Sequence, residues 1–417
     1  MVVVGAGFGG LAVASELARA AVSVTLVDKH HFNTFQPLLY QVATAGLNPG
    51  DIAYPVRAYV RHHPATDFRR GMVCGVDFDA RLVRFEDGGT LGYDYLVLAA
   101  GAATNHFGIP GAVEHSRAIY TMEDALAVRA QIFDQLEQAA AAALAGGDPA
   151  GDANPARGLT VVVVGGGPTG IEMSGTLAEL FSMELGTAYP DLAPRQARVV
   201  LVEQGDRLLG AFHPRLGSYA SKVLRRLGVE VRLSEAVASI DPDKVTLASG
   251  EAISCGLVVW AAGVGSGTLA STLPLEQVRG GRIAVGADLR VAGQANVFAI
   301  GDMAGVAGHD GSLLPQLAQP AIQQGRHSGI QIRRLVEGMP TEDFRYHDKG
   351  TMATIGRRAA VAQLPGRIRL RGTPAWLAWL ALHLVTLVGF RNRVSVLLNW
   401  AWRYMSWSRG TRVIVGE

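Results

Sequence analysis

Short runs of apolar residues alternate with segments of helical period along most of the chain. An apolar run at residues 2–4 and another at 22–27 enclose one helical segment, and runs at 160–164 and 198–202 enclose a second. Buried strands that alternate with helices are typical of a parallel sheet covered on both faces. The pattern therefore predicts an α/β protein with two similar halves.

Polar residues and prolines between these runs predict where further helices begin. Thr121 with Asp124 has the spacing of a capping box, which predicts a helix over about 122–145. Pro214 predicts the start of another helix. A glycine-rich stretch at 146–149 predicts a linker ahead of the second half.

Each half carries a glycine fingerprint directly after its first strand. In such a fingerprint the first glycine permits a tight turn, the second lets backbone N–H groups approach a pyrophosphate, and the third lets the helix pack closely on the strand. Two fingerprints, each in a strand–turn–helix context, predict two bound dinucleotides and electron transfer between them. The glycines are Gly5, Gly7 and Gly10 in the first half and Gly165, Gly167 and Gly170 in the second.

An acidic residue ends the second strand of each half. A carboxylate at this place accepts hydrogen bonds from a ribose 2′-OH and repels a 2′-phosphate. Asp28 has this position in the first half and Glu203 in the second, where it favours NADH over NADPH. Arg207, just beyond, would weaken that preference. The alternative is that both acids only cap strands.

The later strands of the two halves also correspond, and a final apolar run at 297–300 returns the chain to the first half. The NADH unit is thus inserted within a discontinuous FAD unit. The residues that follow these strands are Ala100 and Gly101, Ala262 and Gly263, and Gly301 and Asp302. We predict an FAD-binding domain at 1–115 and 290–340, an NADH-binding domain at 116–289, and a C-terminal membrane-anchoring region at 341–417.

The 417 residues are 49% hydrophobic and 18% charged, which suits a globular protein of two or three domains. The net charge of +2 is unevenly distributed. Residues 341–417 hold twelve Lys and Arg against four acids, so they carry +8 and the remainder about −6. Five of the six tryptophans lie in the same region. A basic, tryptophan-rich and apolar region suits an anionic membrane surface better than a nucleic acid.

Two apolar segments in this C-terminal region, 375–390 and 394–404, are separated by arginines. Spanning a bilayer needs roughly 20 apolar residues, and neither segment is that long. We therefore predict two amphipathic helices that lie in one leaflet, with tryptophans at the headgroup level. The alternative is a buried dimer interface, which has a similar composition.

Cysteine and histidine predict no metal site. Cys74 and Cys255 are the only cysteines and have unrelated surroundings, so we expect neither a disulfide nor a metal cluster. This cysteine content favours a reducing compartment. His383 has no His or Cys at ligand spacing, which favours a packed or interfacial histidine. The first strand follows Met1 directly and is short, so we expect the natural N-terminus to begin a few residues earlier.

Taken together, the chain resembles the two-dinucleotide-binding-domain flavoproteins, and within them the type II NADH dehydrogenases, single-chain NADH:quinone oxidoreductases that do not pump protons. The resemblance extends over nearly the whole chain and is most specific at 35–43, 318–323, 350–356 and the tryptophan-rich region. It implies non-covalent FAD, NADH, and menaquinone or ubiquinone as acceptor. It also implies peripheral attachment to the cytoplasmic face of the inner or plasma membrane, and we expect a homodimer.

The resemblance assigns roles to individual residues. Gln319 and Gln323 would border the quinone, and Asp302 would contact the ribityl chain of the flavin. The predicted FAD contacts are Gly5, Gly7, Gly10, Asp28, Gln41, Ala100, Gly101, Gly301, Asp302 and Gln319. The predicted NADH contacts are Gly165, Gly167, Gly170, Glu172, Glu203, Ala262 and Gly263.

Gln319 and Gln323 also have a physical interpretation of their own. We expect a helix to begin at Pro315, with its N-terminus able to stabilise negative charge on the flavin. On that helix the two glutamines are four residues apart and share one face, where each amide could polarise a quinone carbonyl. The alternative is a solvated helix face, against which the flanking leucines and alanines argue.

Glu172 lies near the start of the helix that follows the second fingerprint, and we place it in the first turn. One interpretation is simple stabilisation of the helix N-terminus, worth about 0.3–1 kcal/mol. The other is a catalytic carboxylate near the nicotinamide and flavin that relays protons, since the family pattern also has an acid here. The residue patterns leave both interpretations open.

The predicted reaction is hydride transfer from NADH to FAD, followed by transfer of two electrons to a membrane quinone without proton pumping. A disulfide or sulfide oxidoreductase of the same fold would need a cysteine pair beside the flavin, which the sequence does not provide. A ferredoxin or rubredoxin reductase would not explain the C-terminal region. A nucleotide-responsive flavoprotein without catalytic activity is a further alternative.

Overall fold

The computed structural model describes residues 1–18, 20, 22–144, 159–189, 192 and 197–406, so the predicted linker at 146–149 lies outside the described residues. The chain forms two compact units. Because residues 35–52 and 350–417 both belong to the second unit, these units differ from the predicted three-domain division, which stays a prediction. The first unit comprises Met1–Thr34, Ala53–Thr104 and Val264–Lys349, and the second comprises Phe35–Ile52, Asn105–Gly263 and Gly350–Glu417.

The first unit is built on a five-stranded parallel sheet whose central strands are wholly buried. Burial on both faces explains why these strands read as continuous apolar runs. From one edge to the other the strands are β22 (Val297–Ala299), β9 (Leu96–Leu98), β1 (Val2–Val4), β2 (Val24–Asp28) and β5 (Thr66–Arg70).

Smaller antiparallel and mixed sheets complete the first unit. They consist of β3 (Phe32–Thr34) with β4 (Ala53–Pro55); β6 (Val73–Asp77), β7 (Leu82–Phe85) and β8 (Thr90–Gly92); β10 (Ala102–Thr104) with β19 (Val264–Ser266); and β20 (Gln277–Val278), β21 (Arg282–Ala284) and β23 (Ala304–Gly305). The helices are α1 (Phe8–Leu17), α4 (Val56–Val60), α9 (Thr268–Thr272) and α10 (Ala318–Val336).

Helices α1 and α10 pack directly against each other because glycines remove side chains from their contact. A Cβ on Gly325 would lie 2.3 Å from the carbonyl oxygen of Gly9. One on Gly329 would lie 2.8 Å from the Cβ of Glu16. The close packing fixes α10 beside the helix that begins at the first fingerprint.

The second unit repeats the plan with another five-stranded parallel sheet. Its strands, in spatial order, are β11 (Arg117–Ala118), β18 (Leu257–Trp260), β12 (Thr160–Val164), β13 (Arg198–Glu203) and β14 (Glu230–Leu233). Two antiparallel sheets accompany it: β15 (Val237–Asp241), β16 (Lys244–Leu247) and β17 (Ala252–Ser254), and β24 (Thr351–Gly356), β25 (Ala359–Leu364) and β26 (Ile368–Arg371).

Eight α-helices of the second unit are described. The predicted helix over about 122–145 is confirmed as α6, and the one expected near Pro214 is confirmed as α8. They are α2 (Leu39–Ala43), α3 (Pro49–Ile52), α5 (Ala112–His115), α6 (Met122–Leu144), α7 (Pro168–Thr187), α8 (Pro214–Arg226), α11 (Thr373–Thr386) and α12 (Phe390–Ser406). Short 3₁₀ helices lie at Gln36–Leu38, Gly301–Met303 and Pro365–Arg367, the middle one in the first unit.

The two C-terminal helices pack on the second unit by one face and expose apolar residues on the other. Helix α11 buries Ala375, Trp376 and Trp379, whereas Val385 is 67% exposed and Leu398 of α12 is 63% exposed. Among the helices that the structure describes, none combines the length and the apolar character needed to cross a bilayer.

Candidate active site

The two glycine fingerprints have the same geometry, each in its own unit. Gly5 has φ of +108° and Gly165 has φ of +110°, values that L side chains rarely adopt. A Cβ on Gly10 would lie 1.8 Å from the Gly5 carbonyl oxygen, and one on Gly170 would lie 1.8 Å from that of Gly165. Only glycine therefore lets α1 and α7 begin so close to the preceding strands.

The second glycine of each fingerprint faces open space. A Cβ on Gly7 or Gly167 would meet nothing within 4 Å. These two residues are the N-caps of α1 and α7, where unsatisfied backbone N–H groups and the helix dipole favour a phosphate. The residues present therefore fit the pyrophosphate of a dinucleotide in each unit.

An acidic side chain binds the backbone of each fingerprint. Asp28 accepts a hydrogen bond from the N–H of Ala6 at 2.7 Å, and Glu203 accepts one from the N–H of Gly166 at 2.5 Å. The other carboxylate oxygen of each acid accepts from the amide two residues farther along the chain. The two acids therefore hold the fingerprint turns in place, at the strand ends where the sequence predicts ribose contacts.

The strand ends beside the fingerprints contribute backbone rather than side chains. A Cβ on Gly5 would lie 3.0 Å from the backbone nitrogen of Ala100, and one on Gly165 would lie 2.7 Å from the Cα of Ala262. Gly101 has φ of +77°. A Cβ on Gly263 would lie 2.9 Å from the ring of Phe107. Of the residues predicted at these strand ends, Ala100 and Ala262 thus lie directly beside the fingerprints.

Asp302 lies in the 3₁₀ turn Gly301–Met303, which follows β22 after one residue. Gly301 opens this turn with φ of +69° and donates its N–H to the buried side-chain oxygen of Gln324 at 2.6 Å. The amide of Gln316 donates to the carbonyl oxygen of Asp302 at 2.9 Å. Gln324 was not predicted from the sequence, although it directly follows the specific segment 318–323.

Helix α10 begins at Ala318, so the prediction that it begins at Pro315 is wrong. Residues 315–317 form a turn, and the first helical bond runs from Ala321 N–H to the Leu317 carbonyl. Gln319 is half-buried and its amide makes no hydrogen bond within the described ranges, whereas the amide of Gln323 is bonded to backbone. The two predicted quinone residues therefore differ in what they can still bind.

Gln41 is buried in the second unit, and both the Nε2 and the Oε1 of its amide are hydrogen-bonded there. Its Nε2 donates to the hydroxyl of Tyr40 at 2.8 Å, and its Oε1 accepts from the indole of Trp400 at 2.9 Å. A neighbouring carboxylate, Asp51, accepts from Ser395 and Asn399 of α12. The segment that the sequence links to FAD is thus the surface on which α12 packs.

Glu172 lies in the second turn of α7, not the first, and is buried. Its Oε1 accepts a hydrogen bond from the N–H of Thr354 in β24 at 3.2 Å. Burial raises the pKa of this carboxyl group to about 8, against the smaller opposing effects of Thr354 and the Trp379 side chain. Glu172 is therefore not a solvent-exposed carboxylate at the helix end. Because its pKa is about 8, it holds its proton at neutral pH.

A close contact between α7 and β24 positions Glu172. A Cβ on Gly175 would lie 1.6 Å from the carbonyl oxygen of Ile355, so the helix and the strand touch at that glycine. Two turns along from Glu172, Glu179 accepts the N–H of Arg357 beyond the strand, and burial raises the pKa of this carboxyl group as well. Two acids of one helix therefore accept hydrogen bonds from an amide of β24 and from the amide of the residue that follows the strand.

Aromatic side chains from α2, α11 and α12 surround Trp379. His383 stacks on it with ring centroids 4.0 Å apart, and Trp400 lies at 5.8 Å. Burial lowers the pKa of His383 to about 4, so its ring is neutral. The prediction of a packed histidine is confirmed. Within the described ranges no three His, Cys, Asp or Glu side chains converge.

A family model for pyridine nucleotide-disulphide oxidoreductases matches residues 1–325, and one for the NDH2 C-terminal domain matches residues 348–407. Type II NADH:quinone oxidoreductase NdhA of Mycobacterium tuberculosis is 38% identical over all of this chain and 89% of that protein. The Ndh protein of the same organism is 36% identical over 100% of this chain and 90% of that protein.

Solved structures agree on the fold. NDH2 of Plasmodium falciparum, in complex with NADH, has a TM-score of 0.89 at 20% identity and covers 100% of this chain and 99% of its own. The sulfide:quinone oxidoreductase of Aquifex aeolicus has a TM-score of 0.71 at 18% identity, covering 98% of this chain and 95% of its own. From the full-length matches and the family models together, this chain belongs to the type II NADH:quinone oxidoreductase family.

Proposed function

We propose that the protein oxidises NADH and passes two electrons by way of FAD to a membrane quinone, without pumping protons. The observation that carries the proposal is the pair of matching dinucleotide cradles, each with its own acidic side chain. Bound FAD would supply the redox chemistry, accepting a hydride from NADH and giving two electrons to the quinone. The chain itself would bind and orient the cofactors and the quinone, and it would supply the proton.

The first unit would hold FAD and the second NADH, because each unit carries one of the two fingerprints. The fingerprint of each unit would take the pyrophosphate, and Asp28 and Glu203 would take the adenosine ribose of FAD and NADH respectively. The further FAD contacts in this proposal are Gln41, Ala100, Gly101, Gly301, Asp302 and Gln319, and the further NADH contacts are Glu172, Ala262 and Gly263. Gln41 would have to contact FAD while keeping its bonds to Tyr40 and Trp400 or by exchanging one of them.

Glu172 would supply a proton. Reduction of a quinone consumes two protons and oxidation of NADH releases one, so one proton must come from the solvent. A general acid works best when its pKa lies close to the working pH, and the pKa of Glu172 is about 8. The carboxyl group is therefore protonated at neutral pH and able to give that proton up.

Gln319 and Gln323 would bind the quinone head group through their amides. An amide polarises a carbonyl without bringing a charge into the pocket, so it suits a neutral acceptor. Gln319, whose amide makes no hydrogen bond within the described ranges, is the better placed of the two to donate.

The exposed apolar faces of α11 and α12 would attach the protein to the cytoplasmic face of the inner or plasma membrane. Val385, Leu397 and Leu398 are more than half exposed, as is Trp402, which suits burial in the headgroup region. The exposed Arg391 lies at the start of α12, where it could reach lipid phosphates. The alternative use of the same face is the interface of a homodimer, and different parts of it could serve both.

Steady-state and anaerobic stopped-flow assays on detergent-extracted protein test the function. NADH should bleach the flavin rapidly, and a short-chain quinone should restore its colour far faster than oxygen or ferredoxin does. Fast turnover with ferredoxin and slow turnover with quinone would favour a soluble reductase. Absence of turnover with every acceptor would favour a flavoprotein without catalytic activity.

A further inference from the structure

In the described part of the second unit, one buried indole N–H has no hydrogen-bond acceptor. Trp379 is 1% exposed, and its Nε1 makes no hydrogen bond within the part of the chain that the structure describes. A buried donor without an acceptor is uncommon, because it gives up its bond to water on folding and receives nothing in return. Such a donor indicates an acceptor that reaches it in another state of the protein.

The indole is held so that it cannot turn towards a new acceptor. His383 stacks on it with the ring planes 23° apart, and Tyr40 meets it edge-on at 6.4 Å. Trp400 packs at 5.8 Å and is itself fixed by its hydrogen bond to Gln41. An acceptor for Trp379 must therefore move to the indole.

Glu172 is the acceptor within reach. The Trp379 side chain is close enough to lower the pKa of this carboxyl group, although its N–H makes no hydrogen bond within the described residues. Among the described residues, the N–H of Thr354 is the donor that bonds to the carboxyl group, through Oε1. The second oxygen has no donor among the described residues, so a small rotation of the side chain could bring it to the indole.

We propose that Trp379 is a positioning residue that receives Glu172 in its ionised form. The inference rests on the proposed role of Glu172 as a proton donor. When the O–H bond of Glu172 breaks, the proton passes to an oxygen of the quinone being reduced and the carboxylate keeps the electron pair. The freed oxygen then accepts the indole N–H until a proton returns from solvent, and neither side chain gains or loses an electron.

Other ionisable groups around the pair do not take over this role. His383, on the same helix, is neutral, and Tyr40 of α2 meets the indole rather than the carboxyl group. Glu179 lies two turns farther along α7 and is bonded to the amide of Arg357. Strand β24 presents no ionisable side chain to Glu172. The indole N–H is thus the donor that would stabilise the second oxygen of ionised Glu172.

Replacement of Trp379 by Phe keeps an aromatic ring and removes the N–H. The test is an infrared pH titration of the FAD-loaded full chain, in which the carboxyl C=O band of Glu172 is identified by its loss in Glu172→Gln. In Trp379→Phe the midpoint should rise by about one unit or more, since a hydrogen bond to a charged group is worth about that much.

Trp400→Phe is the matched control, because its N–H bonds to Gln41 and not to Glu172. Its titration midpoint should equal that of the wild type. An unchanged midpoint in Trp379→Phe, or equal shifts in both variants, would overturn the proposal.

A second measurement needs no tryptophan variant and so does not depend on its folding. In ¹⁵N-labelled wild-type protein, one indole proton signal should move downfield with the same midpoint as the carboxyl band, and should not move in Glu172→Gln. If no indole signal follows the titration, the inference fails. A wild-type rate of quinone reduction in Glu172→Gln would instead reject the proposed proton donor while leaving the observed coupling in place.

Discussion

Gln323 and the backbone of His347 form two hydrogen bonds with each other. The Nε2 of Gln323 donates to the carbonyl oxygen of His347 at 2.9 Å, and its Oε1 accepts from the N–H of the same residue at 3.0 Å. This side chain therefore ties helix α10 to the irregular segment that follows it. Gln319, one turn earlier, makes no such bond within the described ranges.

Alanine substitutions of Gln319 and Gln323 should have different effects. Gln319→Ala should slow reoxidation of the flavin by quinone while flavin reduction by NADH keeps its wild-type rate. Gln323→Ala should also slow reoxidation, and it should in addition lower the free energy of unfolding by about 0.5–1.5 kcal/mol, because two hydrogen bonds are lost and the exposed backbone groups of His347 bond to water instead. Anaerobic stopped flow and urea denaturation measure the two effects. If either variant slowed flavin reduction and flavin reoxidation equally, the replaced residue would have a structural role instead.

Glu203 should set the preference for NADH. Glu203→Gln should raise the kcat/KM ratio of NADPH to NADH about tenfold or more, because the side chain no longer repels a 2′-phosphate. Gln keeps one acceptor oxygen for the fingerprint turn, so it disturbs the backbone less than Ser would. Glu230→Gln, on the neighbouring strand, is the control and should leave the ratio unchanged. An unchanged ratio in Glu203→Gln would remove that residue from the role.

Glu172 should make stability depend on pH. Its pKa is raised from 4.5 to about 8, so between those values the folded protein holds a proton that the unfolded chain has released. The stability contribution is therefore complete below pH 4.5 and is lost as pH rises towards 8. Glu172→Gln keeps the acceptor for Thr354 and removes this dependence. Its unfolding free energy relative to wild type should thus rise by a few kcal/mol as pH rises from 4.5 to about 8. If the unfolding free energies of both proteins changed equally with pH, the raised pKa of Glu172 would be contradicted.

The exposed face of α11 and α12 should control membrane binding. Val385→Glu with Leu398→Glu should weaken binding to anionic vesicles at least about tenfold, since each apolar side chain is worth about 1.5–3 kcal/mol when buried. Val336→Glu, also an exposed apolar position but on α10, is the control. NADH:ferricyanide turnover should persist in all of them. Loss of a dimer with intact vesicle binding would assign this face to subunit contact instead.

Deletion of residues 374–417 should also release the protein from membranes, but it is a less specific test. The deletion removes Trp379 and Trp400, which pack against Tyr40 and bond to Gln41 in the second unit. Loss of activity after deletion would therefore report on this packing as well as on attachment.

The flavin should be FAD held without a covalent bond. No His or Cys lies beside the first fingerprint in a flavinylation motif, and the cradle there is complete. Boiling should release the yellow colour into the supernatant. Colour that stays with the protein pellet would contradict the prediction.

Features that depend on residues close in sequence could be predicted. The Thr121–Asp124 capping box exchanges hydrogen bonds of 2.8 and 3.1 Å, as its spacing requires. The glycines of both fingerprints adopt the positive φ and close contacts that the motif needs, because those requirements arise within a single turn. The start of α10 is the exception, since Pro315 is compatible with a helix start but is held in a turn ahead of it.

Only the tertiary structure decided what surrounds the reactive groups. Glu172 meets an amide 182 residues away, and Gln41 meets an indole 359 residues away. The sequence left open whether Glu172 was a helix-end carboxylate or a perturbed acid, because burial, not position in the helix, sets its pKa. Local patterns report which face of an element is apolar. Which distant strand or helix covers that face depends on how all the elements pack, and no single segment encodes it.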